Sequence, residues 1–372
     1  MEQSSSEERK AFLDRHASAY IFCALSYDLK NQYESSLLSS NPDRVETPGS
    51  FWVVYKRVLR LNGLDLTIYA EENASLNEWV YIDPSKNETK FPEKESSSIN
   101  LKLRTSKDEY LKDIENIQSA IRSGSVYELN YCQEFYAEHC NIDPLSIFKR
   151  MLATNAAPFS VLFKWKQHCL LSASPERFLA KRGNLLVAQP IKGTRRRLSD
   201  IAADNRQKED LQHCVKERAE NVMIVDLMRN DLARCCETGT VAVEELFGIY
   251  SFATVHQMIS TVTGRVKAEF NFDTILQNTF PMGSMTGAPK IEAMKLIEQF
   301  EKVKRGWFSG SIGYIAPNGD FDLNVVIRTL IYNASSGYLS LQTGGAITID
   351  SVPELEYQES LLKAEAWMKL LS

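Results

Sequence analysis

The sequence predicts an α+β fold built on large antiparallel sheets. Helical patterns alternate with pairs of strands rather than with single strands. Tight turn pairs, Asn62-Gly63 and Gly183-Asn184, join neighbouring strand patterns. A doubly wound parallel sheet would alternate one strand with one helix, so that class is disfavoured. With 372 residues, the chain is long enough for one large domain or two ordinary ones.

In chain order, the first predicted elements are strands at 51–55 and 64–69, on either side of the Asn62-Gly63 turn. Residues 84–103 are polar and rich in Ser and Lys, which predicts an exposed connector. A short N-terminal region, residues 1–100, therefore precedes the more readable part of the chain.

A helix is predicted to begin at Ser106, its N-cap, because Glu109 three residues later completes a capping-box pattern. Gly124 is placed to end this helix. The strand that follows puts Glu128 and Asn130 on one face, since side chains alternate along a strand.

The later elements follow from apolar periodicity and turn residues. Residues 159–190 are predicted to form an antiparallel meander. After it we expect a helical stretch at about 205–235, strands at about 254–266, a helix at 289–300, strands at 311–315, 322–332 and 338–343, and a last helix at 353–371.

The composition is that of a globular protein, with 44% hydrophobic and 24% charged residues. A formal net charge of −5 gives no reason to expect nucleic acid as a partner. The apolar run from Ala19 to Tyr27 is too short to span a bilayer, and residues 1–8 lack the pattern of an export signal. We therefore expect a cytoplasmic protein with no membrane partner.

Seven cysteines, without any Cys-x-x-Cys spacing, predict free thiols in a reducing compartment. None lies in a glycine-flanked nucleophile turn. The sequence therefore predicts no glutaminase site in this chain.

Lys192, in Pro190-Ile-Lys-Gly-Thr194, is the residue with the clearest chemical potential. It precedes three arginines, at 195–197, and follows Glu176 by one predicted hairpin. A desolvated lysine beside other cations has a lowered pKa and can act as a nucleophile. The alternative is a solvated basic loop, which is usual for three consecutive arginines.

Two helical segments each carry a Glu-x-x-Glu pair, Glu217 with Glu220 and Glu356 with Glu359. Residues three apart share one face of a helix, so each pair can direct two carboxylates at one point. An all-oxygen set of this kind suits Mg²⁺. Such pairs are also common on solvated faces, and the sequence leaves open whether the two pairs meet.

The glycine-rich segment from Gly283 to Lys290 precedes a predicted helix with Pro289 at its first position. Its open backbone N–H groups could bind an anion such as a carboxylate. It is not a Walker A loop, because Ile291 follows the lysine. A tight turn that only caps the helix is the alternative.

Three further positions are candidates. Arg328 is a charge inside an apolar strand pattern, so it needs either a substrate carboxylate or an internal salt bridge. Residues 344–346 (Gly-Gly-Ala) offer open backbone amides. His256, taken alone, is better explained as a hydrogen-bonded structural histidine.

Together these motifs resemble the chorismate-utilising enzymes, the family of anthranilate, aminodeoxychorismate, isochorismate and salicylate synthases. The resemblance covers about residues 106–368 in family order, which makes it highly specific. The matching segments are Ser174-Pro-Glu176, Pro190–Thr194, Lys216–Asp231, Val255-His256, Phe280–Lys290, Arg305–Tyr314, Ile327-Arg-Thr329 and Gly344–Lys363.

The resemblance implies two orthogonally packed antiparallel sheets with helices outside, in four layers, α/β/β/α. It implies a chorismate-binding catalytic domain at residues 101–372, with residues 1–100 completing the same fold. It also implies Mg²⁺ bound between the glutamate pairs, with Glu220 and Glu359 as direct ligands and Glu217 and Glu356 reaching the metal directly or through water.

The resemblance further assigns individual roles. Glu176 becomes the general acid/base for the departing hydroxyl, and Lys192 the nucleophile. The other catalytic candidates are His256 and Glu128. The substrate-binding candidates are Gly193, Thr194, Thr286, Gly287, Tyr314, Arg328, Gly344, Gly345, Ala346 and Lys363.

Within the family, the residue at position 192 indicates the branch. Aminodeoxychorismate synthases resemble Pro-Ile-Lys-Gly-Thr here, and anthranilate synthases resemble Pro-Ile-Ala-Gly-Thr. The implied reaction joins chorismate and ammonia into 4-amino-4-deoxychorismate through a covalent lysine intermediate, with ammonia from a separate glutamine amidotransferase subunit. The alternatives are anthranilate synthase component I and a non-catalytic chorismate-binding subunit.

Two departures from the family accompany this assignment. Glu128 stands where water-adding relatives carry a lysine base and amine-adding relatives usually carry glutamine. The N-terminal region shows no Leu-Leu-Glu-Ser-type inhibitor motif, so feedback by tryptophan is not expected.

Overall fold

The computed structural model describes residues 5–70 and 98–372. It confirms the α+β class, and every strand pair in the described ranges is antiparallel. The strands are β1 (Ile21–Leu25), β2 (Ser50–Val54), β3 (Arg57–Asn62), β4 (Asp65–Ala70), β5 (Lys102–Leu103), β6 (Glu128–Ala137), β7 (Phe159–Trp165), β8 (His168–Ser174), β9 (Arg177–Arg182), β10 (Leu185–Gln189), β11 (Ile191–Arg196), β12 (Ala242–Ser251), β13 (Val255–Arg265), β14 (Gly287–Ala288), β15 (Ser311–Ile315), β16 (Phe321–Asn324), β17 (Thr329–Asn333) and β18 (Tyr338–Ile347).

The helices of the described residues lie outside the sheets. They are α1 (Ser6–Arg15), α2 (Lys30–Tyr33), α3 (Lys107–Arg122), α4 (Pro144–Asn155), α5 (Ile201–His213), α6 (Val215–Cys235), α7 (Phe272–Thr279), α8 (Lys290–Phe300) and α9 (Pro353–Leu371). None of these helices is both long and apolar enough to cross a bilayer.

Two large sheets form the framework. The first has the strand order β11-β13-β10-β9-β16-β15-β1-β2, with β12 also paired to β13. The second has the order β14-β6-β18-β17-β8-β7, with β5 paired to β6. Strands β3 and β4 form a separate hairpin around the predicted Asn62-Gly63 turn. The first sheet ends with the N-terminal strands β1 and β2, because β1 pairs with β15.

The main apolar core lies between the sheets and against the helices of the first sheet. Buried residues of both sheets, such as Trp52 and Leu170, belong to one cluster with Ile224 of α6 and Leu276 of α7. A second cluster joins α4 and α9 to the other face of the second sheet. A third packs α3 and α8 on β6. The layers therefore run α/β/β/α.

The predicted meander at 159–190 is wrong in one respect. The hairpin β7–β8 belongs to the second sheet, whereas β9–β10 belongs to the first. The chain changes sheet at Ser174–Glu176. Apolar alternation predicted each strand correctly, but it carries no information about which sheet a strand joins.

The predicted strand at 322–332 is also wrong, because the chain changes sheet a second time between β16 and β17. Arg328 lies in this break with a φ of 50°. The two crossings are hydrogen-bonded to each other: Val325 N donates to Glu176 O (3.0 Å), and Ala173 N donates to Arg328 O (3.0 Å). We call these paired crossings the seam.

Other boundaries differ by smaller amounts. The helical stretch predicted at 205–235 is two helices, broken at Cys214, which caps both. Strands β1, β3 and β12 and helices α1, α2, α4 and α7 were not predicted. The strand predicted at 51–55 pairs with β1, and β3 is the strand that precedes the Asn62-Gly63 turn. Pro289 is the N-cap of α8 rather than its first residue. Most of the predicted connector at 84–103 lies outside the described residues.

The capping box at Ser106 and Glu109 is confirmed, and Gly124 follows α3 with a φ of 80°. This helix packs on α9 and β18 and so supports the strand that carries Glu128.

Candidate active site

Lys192 lies on β11 with its amine among carboxylates. Its Nζ is 3.3 Å from Glu128 Oε1 and 3.9 Å from Glu220 Oε2. Burial alone would lower the pKa of Lys192, but Glu128, Glu220 and Glu176 outweigh it and raise the pKa. The predicted lowering by neighbouring cations is therefore wrong for the ligand-free protein.

The three arginines after Lys192 do not form a solvated basic loop. Arg195 and Arg196 continue β11, and Arg195 Nη1 lies 3.3 Å from Glu217 Oε1. Arg197 donates to Asp204 at 2.8 Å. The charges of Arg195 and Arg197 are therefore paired with carboxylates of α6 and α5, while Arg196 is exposed.

Glu176 projects from the seam into a buried position, 5% exposed. Burial raises the pKa of Glu176 to about 7, although Ser284, Lys192 and Arg328 act in the opposite direction. A carboxyl group that is neutral near pH 7 can donate a proton. Ser284, next to it, was not singled out from the sequence, since a serine in a glycine-rich turn carries no signal.

Glu128, at the start of β6, is 2% exposed. Its Oε1 accepts a hydrogen bond from Lys192, and its buried Oε2 has no hydrogen-bond partner among the described residues. Strand β14 holds this end of β6, with Ala288 opposite Glu128. A Cβ at Gly287 would lie 2.2 Å from Glu128 O, so only glycine permits this approach.

The two glutamate pairs do meet. Glu217 and Glu220 lie on α6, and Glu356 and Glu359 lie on α9. The amine of Lys216 bridges the helices, 3.8 Å from Glu220 Oε1 and 3.7 Å from Glu356 Oε1. Burial lowers the pKa of Lys216, but all four glutamates act against it and raise the pKa overall. We call Glu217, Glu220, Glu356 and Glu359 the glutamate quartet.

Charge repulsion is visible within the quartet. Burial, with Glu128 and Glu217 nearby, raises the pKa of Glu220 to about 7. Burial and Glu359 raise the pKa of Glu356. Burial opposes ionisation of Glu359 too, yet Lys363, 2.8 Å away, lowers its pKa. No three Asp, Glu, His or Cys side chains of the described residues are arranged to ligate one ion in this conformation.

Two glycines bring strands close to the quartet. A Cβ at Gly345 would lie 3.3 Å from Glu356 Oε2 and 3.8 Å from both Glu359 Oε1 and Lys363 Nζ. A Cβ at Gly193, whose φ is +87°, would lie 2.8 Å from Leu211 Cδ1 and 3.1 Å from Glu217 Oε2. Both positions line the space in front of the carboxylates.

The amides at 344–346 are less open than predicted. Gly344, Gly345 and Ala346 belong to β18 and pair with Cys132, Tyr131 and Asn130 of β6. On the opposite edge, the pairing with β17 ends at Leu341, so no described strand covers that edge beside these residues. Gly344 O accepts a hydrogen bond from Lys363 Nζ at 2.6 Å.

Within the described residues, Arg328 lacks the internal salt bridge that was one of its two predicted roles, and its role as a ligand of a substrate carboxylate stays a prediction. Its guanidinium forms no ion pair with any residue in the described ranges, so the predicted internal salt bridge is not found. Burial lowers the pKa of Arg328, and nearby Glu176 partly offsets that effect. A mostly buried guanidinium next to a neutral carboxyl group is suited to an incoming anion.

Some predicted residues are not brought to Lys192. His256 uses both ring nitrogens elsewhere, with Asp204 Oδ1 at 3.0 Å and Ser251 Oγ at 2.8 Å. Tyr314 is in an aromatic group with Tyr20 and Phe22. The structural, hydrogen-bonded role expected for His256 from the sequence alone is therefore confirmed. The catalytic role of His256 and the substrate-binding role of Tyr314, which the resemblance implies, have no support in this geometry.

The Gly283–Lys290 segment is internally bonded. The hydroxyl of Thr286 donates to Met282 O and Gly283 O, both at 3.2 Å. Lys290 Nζ lies 2.5 Å from Asp231 Oδ2 and also donates to two main-chain carbonyls. The lysine therefore links α8 to α6 and does not serve as an anion ligand.

Thr194, on β11, lies opposite Gln257 of β13.

Comparison with known proteins adds three kinds of finding. Residues 2–369 match the family described as chorismate binding enzyme. The chain is 42% identical over 258 residues to aminodeoxychorismate synthase component 1 of Klebsiella aerogenes, covering 69% of this chain and 56% of that protein. It is 33% identical to the protein of the same name in Bacillus subtilis, covering 93% and 76%.

Among plant proteins, the chain is 35% identical to a probable chloroplastic aminodeoxychorismate synthase of Oryza sativa subsp. japonica, covering 92% of this chain and 37% of that protein. The matches to the Klebsiella and rice proteins therefore span less than two thirds of those proteins.

Solved structures agree with the fold. Anthranilate synthase component I of Streptococcus pneumoniae superposes with a TM-score of 0.79 at 28% identity, covering 94% of this chain and 80% of that one. The menaquinone-specific isochorismate synthase of Escherichia coli superposes with a TM-score of 0.77 at 18% identity, covering 100% and 83%. At that identity the second match supports the fold alone.

Proposed function

Because the chain belongs to the family of chorismate binding enzymes, we propose that it aminates chorismate to 4-amino-4-deoxychorismate. One observation carries the proposal within the family. A lysine amine lies 3.3 Å from Glu128, and the nearby Glu176 carboxyl has a pKa raised by burial to about 7. A nucleophile and a proton donor are thus held together. The relatives from bacteria and rice, which are named aminodeoxychorismate synthases, support the same activity.

The first half of the reaction forms a covalent adduct. The Lys192 amine attacks C2 of the substrate ring, the double bonds shift, and the C4–O bond breaks. The neutral carboxyl of Glu176 gives its proton to the departing hydroxyl, which leaves as water. Lys192 is protonated in the free protein, so a base has to take its proton before attack.

Glu128 is the residue placed to take that proton. Its Oε1 already accepts a hydrogen bond from Lys192 Nζ, and its buried Oε2 is otherwise unpartnered among the described residues. This role accounts for a glutamate where relatives that add an amine usually have glutamine.

The second half releases the enzyme. Ammonia attacks C4, the double bonds shift back, and the C2–N bond to Lys192 breaks. The two successive displacements leave nitrogen at C4, whereas direct attack by ammonia would leave it at C2. Lys192 is therefore needed to set the position of the amine.

The quartet fits Mg²⁺ by its chemistry. Its donors are all carboxylate oxygens, the type that Mg²⁺ prefers. Burial and neighbouring carboxylates raise the pKa of Glu220 and of Glu356, so a bound cation would favour their ionised forms. When bound by these four glutamates, Mg²⁺ would hold the ring carboxylate of the substrate. Arg328 and the free edge of β18 at Gly344–Ala346 would receive the enolpyruvyl carboxylate.

We further propose that ammonia comes from a separate glutamine amidotransferase subunit. The name "component 1", carried by the Klebsiella and Bacillus relatives, supports a second component. All seven cysteines are unpaired, which supports a reducing compartment, the cytoplasm, as the location.

Product identification tests the proposal. The chain is incubated with chorismate, Mg²⁺ and ammonium, and products are separated and identified by mass and fluorescence. We expect a non-fluorescent amine that retains the enolpyruvyl group. Fluorescent anthranilate with release of pyruvate would assign the chain to the anthranilate branch instead. Binding of chorismate without turnover would favour a non-catalytic subunit.

A further inference from the structure

Each carboxylate of the glutamate quartet already has a cation near it. Arg195 lies 3.3 Å from Glu217, Lys192 lies 3.9 Å from Glu220, and Lys363 lies 2.8 Å from Glu359. Each of these three cations contacts a carboxylate of only one of the two helices.

Lys216 differs because it contacts both helices of the quartet at once. Its amine is within 3.8 Å of a carboxylate oxygen on α6 and within 3.7 Å of one on α9. Of the cations that form ion pairs with the quartet in the described ranges, Lys216 is the one within 4 Å of a carboxylate on each helix, so a cation shared by the two pairs would lie near its amine. The Lys216 side chain is 59% exposed, so it can leave this position without uncovering buried surface.

We propose that Lys216 is an internal cation that occupies the position of the metal in the free protein and competes with it. The inference rests on the proposed Mg²⁺ site. When the metal binds, the amine of Lys216 moves out to solvent and the carboxylates close around the ion. The lysine thus keeps the two helices together without metal, and it weakens the affinity of the free protein for metal.

The geometry separates this role from a general charge effect. Arg195 also offsets negative charge of the quartet, but of the four glutamates it contacts only Glu217. If occupancy of the shared position matters, loss of Lys216 has to change metal binding more than loss of Arg195 does. If only the net charge matters, removal of Lys216 and removal of Arg195 change the affinity for Mg²⁺ by the same amount.

The experiment is a calorimetric titration of the full chain with Mg²⁺ alone, without chorismate. The variants are Lys216→Met, which keeps the apolar stem, Lys216→Gln as a second replacement, and Arg195→Met. Lys208→Met, at an exposed position of α5, controls for the change in net charge. Far-UV circular dichroism verifies that each variant is folded.

We expect Lys216→Met and Lys216→Gln to lower the Kd for Mg²⁺ by at least about tenfold, Arg195→Met by less than about threefold, and Lys208→Met not at all. The rise in Tm on adding Mg²⁺ should be larger for both Lys216 variants than for the unchanged chain. An unchanged or higher Kd in the Lys216 variants would overturn the inference, as would an equal gain in Arg195→Met.

The outcome is separable from that of the proposed function. If the unchanged chain aminates chorismate but Lys216→Met binds Mg²⁺ no more tightly, the inference fails alone. If no aminated product forms, the proposed function fails, while the Kd comparison still reports on Lys216. Absence of Mg²⁺ binding in every variant would reject the inference together with the metal site.

Discussion

Lys192 is protonated, although its role as a nucleophile needs a neutral amine. Glu176 is neutral, although a carboxylic acid is ordinarily ionised near pH 7. Lys192 is protonated because Glu128, Glu220 and Glu176 face it, while burial keeps the Glu176 carboxyl neutral up to about pH 7. The sequence correctly placed the two residues one hairpin apart. It gave the wrong direction for the pKa of Lys192, because the carboxylates that decide it come from β6 and α6, distant in the chain.

The first prediction concerns Lys192→Ala. Without the amine no adduct can form, so we expect formation of 4-amino-4-deoxychorismate to fall by at least about a thousandfold. Slow formation of anthranilate should replace it, since ammonia can then attack the vacated C2. Product analysis by mass and fluorescence measures both, with Lys164→Ala on the surface of β7 as control. Undiminished aminodeoxychorismate formation would remove Lys192 from the mechanism.

The second prediction concerns pH and Glu176. Its pKa is raised from 4.5 to about 7, so the folded protein binds this proton more tightly than the unfolded chain. The stabilisation is complete below pH 4.5 and is lost as the pH rises to about 7, an effect of at most about 3 kcal/mol. The sign follows because the folded state binds more protons in that interval.

Glu176→Gln keeps the shape but cannot ionise. Between about pH 5 and about pH 8, we expect the free energy of unfolding of this variant to decline less than that of the unchanged chain, because the contribution of Glu176 is removed. We also expect the variant to lose turnover. Urea unfolding at the two pH values, compared with the unchanged chain, measures it. An identical decline in both proteins would show that Glu176 ionises normally in the fold.

At the scale of elements, the site depends on how closely strands approach helices. The side of β11 that carries Gly193 lies against Leu211 of α5 and Glu217 of α6. Sequence patterns predicted the elements involved, including the capping box of α3, since those signals are local. They did not predict that 205–235 is two helices or that Arg328 interrupts a strand. Buried apolar residues on both sides of Arg328 conceal the break in the strand. The helices meet at Cys214, which is neither glycine nor proline and so does not signal a break.

The third prediction compares two glycines with positive φ. Gly193→Ala adds a Cβ 2.8 Å from Leu211 Cδ1 and 3.1 Å from Glu217 Oε2, whereas Gly183→Ala meets nothing within 4 Å. Both variants should lose about 1 kcal/mol from the left-handed backbone. Gly193→Ala should lose about 1–3 kcal/mol more through overpacking, and it should also weaken Mg²⁺ binding by displacing Glu217.

Urea unfolding and calorimetric titration measure the two effects. Equal free energies of unfolding for the two variants would mean that α5 and α6 shift to accommodate the added methyl group, and that β11 does not fix the position of the quartet.

At the scale of the molecule, the active site lies where the chain passes between the sheets. The seam carries Glu176 and Arg328, the edge strand β11 carries Lys192, and α6 and α9 bring the quartet from opposite layers. Sequence reasoning assembled these residues only through the resemblance to a family. Periodicity and spacing could not do so, because they report on single elements and not on the register between sheets.

A buried ion pair, Arg305 with Glu301, joins β6 to two neighbouring turns. Arg305, 2% exposed, contacts Glu301 and donates to Met285 O at 2.6 Å and Asn130 O at 2.8 Å. It also reaches Ser309, in the turn before β15 of the first sheet. Arg305 therefore links β6, the turn that contains Ser284, and the approach to the other sheet.

The fourth prediction is that Arg305→Met destabilises the whole fold by about 3–5 kcal/mol, since it leaves Glu301 buried and uncompensated. The double variant Arg305→Met/Glu301→Leu should recover part of that loss, because no buried charge remains. Urea unfolding of the single and double variants measures the difference. A double variant as unstable as the single one would show that the hydrogen bonds of Arg305, and not its charge pairing, stabilise the fold.

The most direct measurement is the intact mass of the protein during slow turnover of chorismate with Mg²⁺ and no ammonium, followed by peptide mapping. The account predicts a mass increase of one chorismate less one water, located on Lys192, that disappears when ammonium is added. An adduct on another residue, or aminated product formed with no adduct on Lys192 at any time, would contradict it.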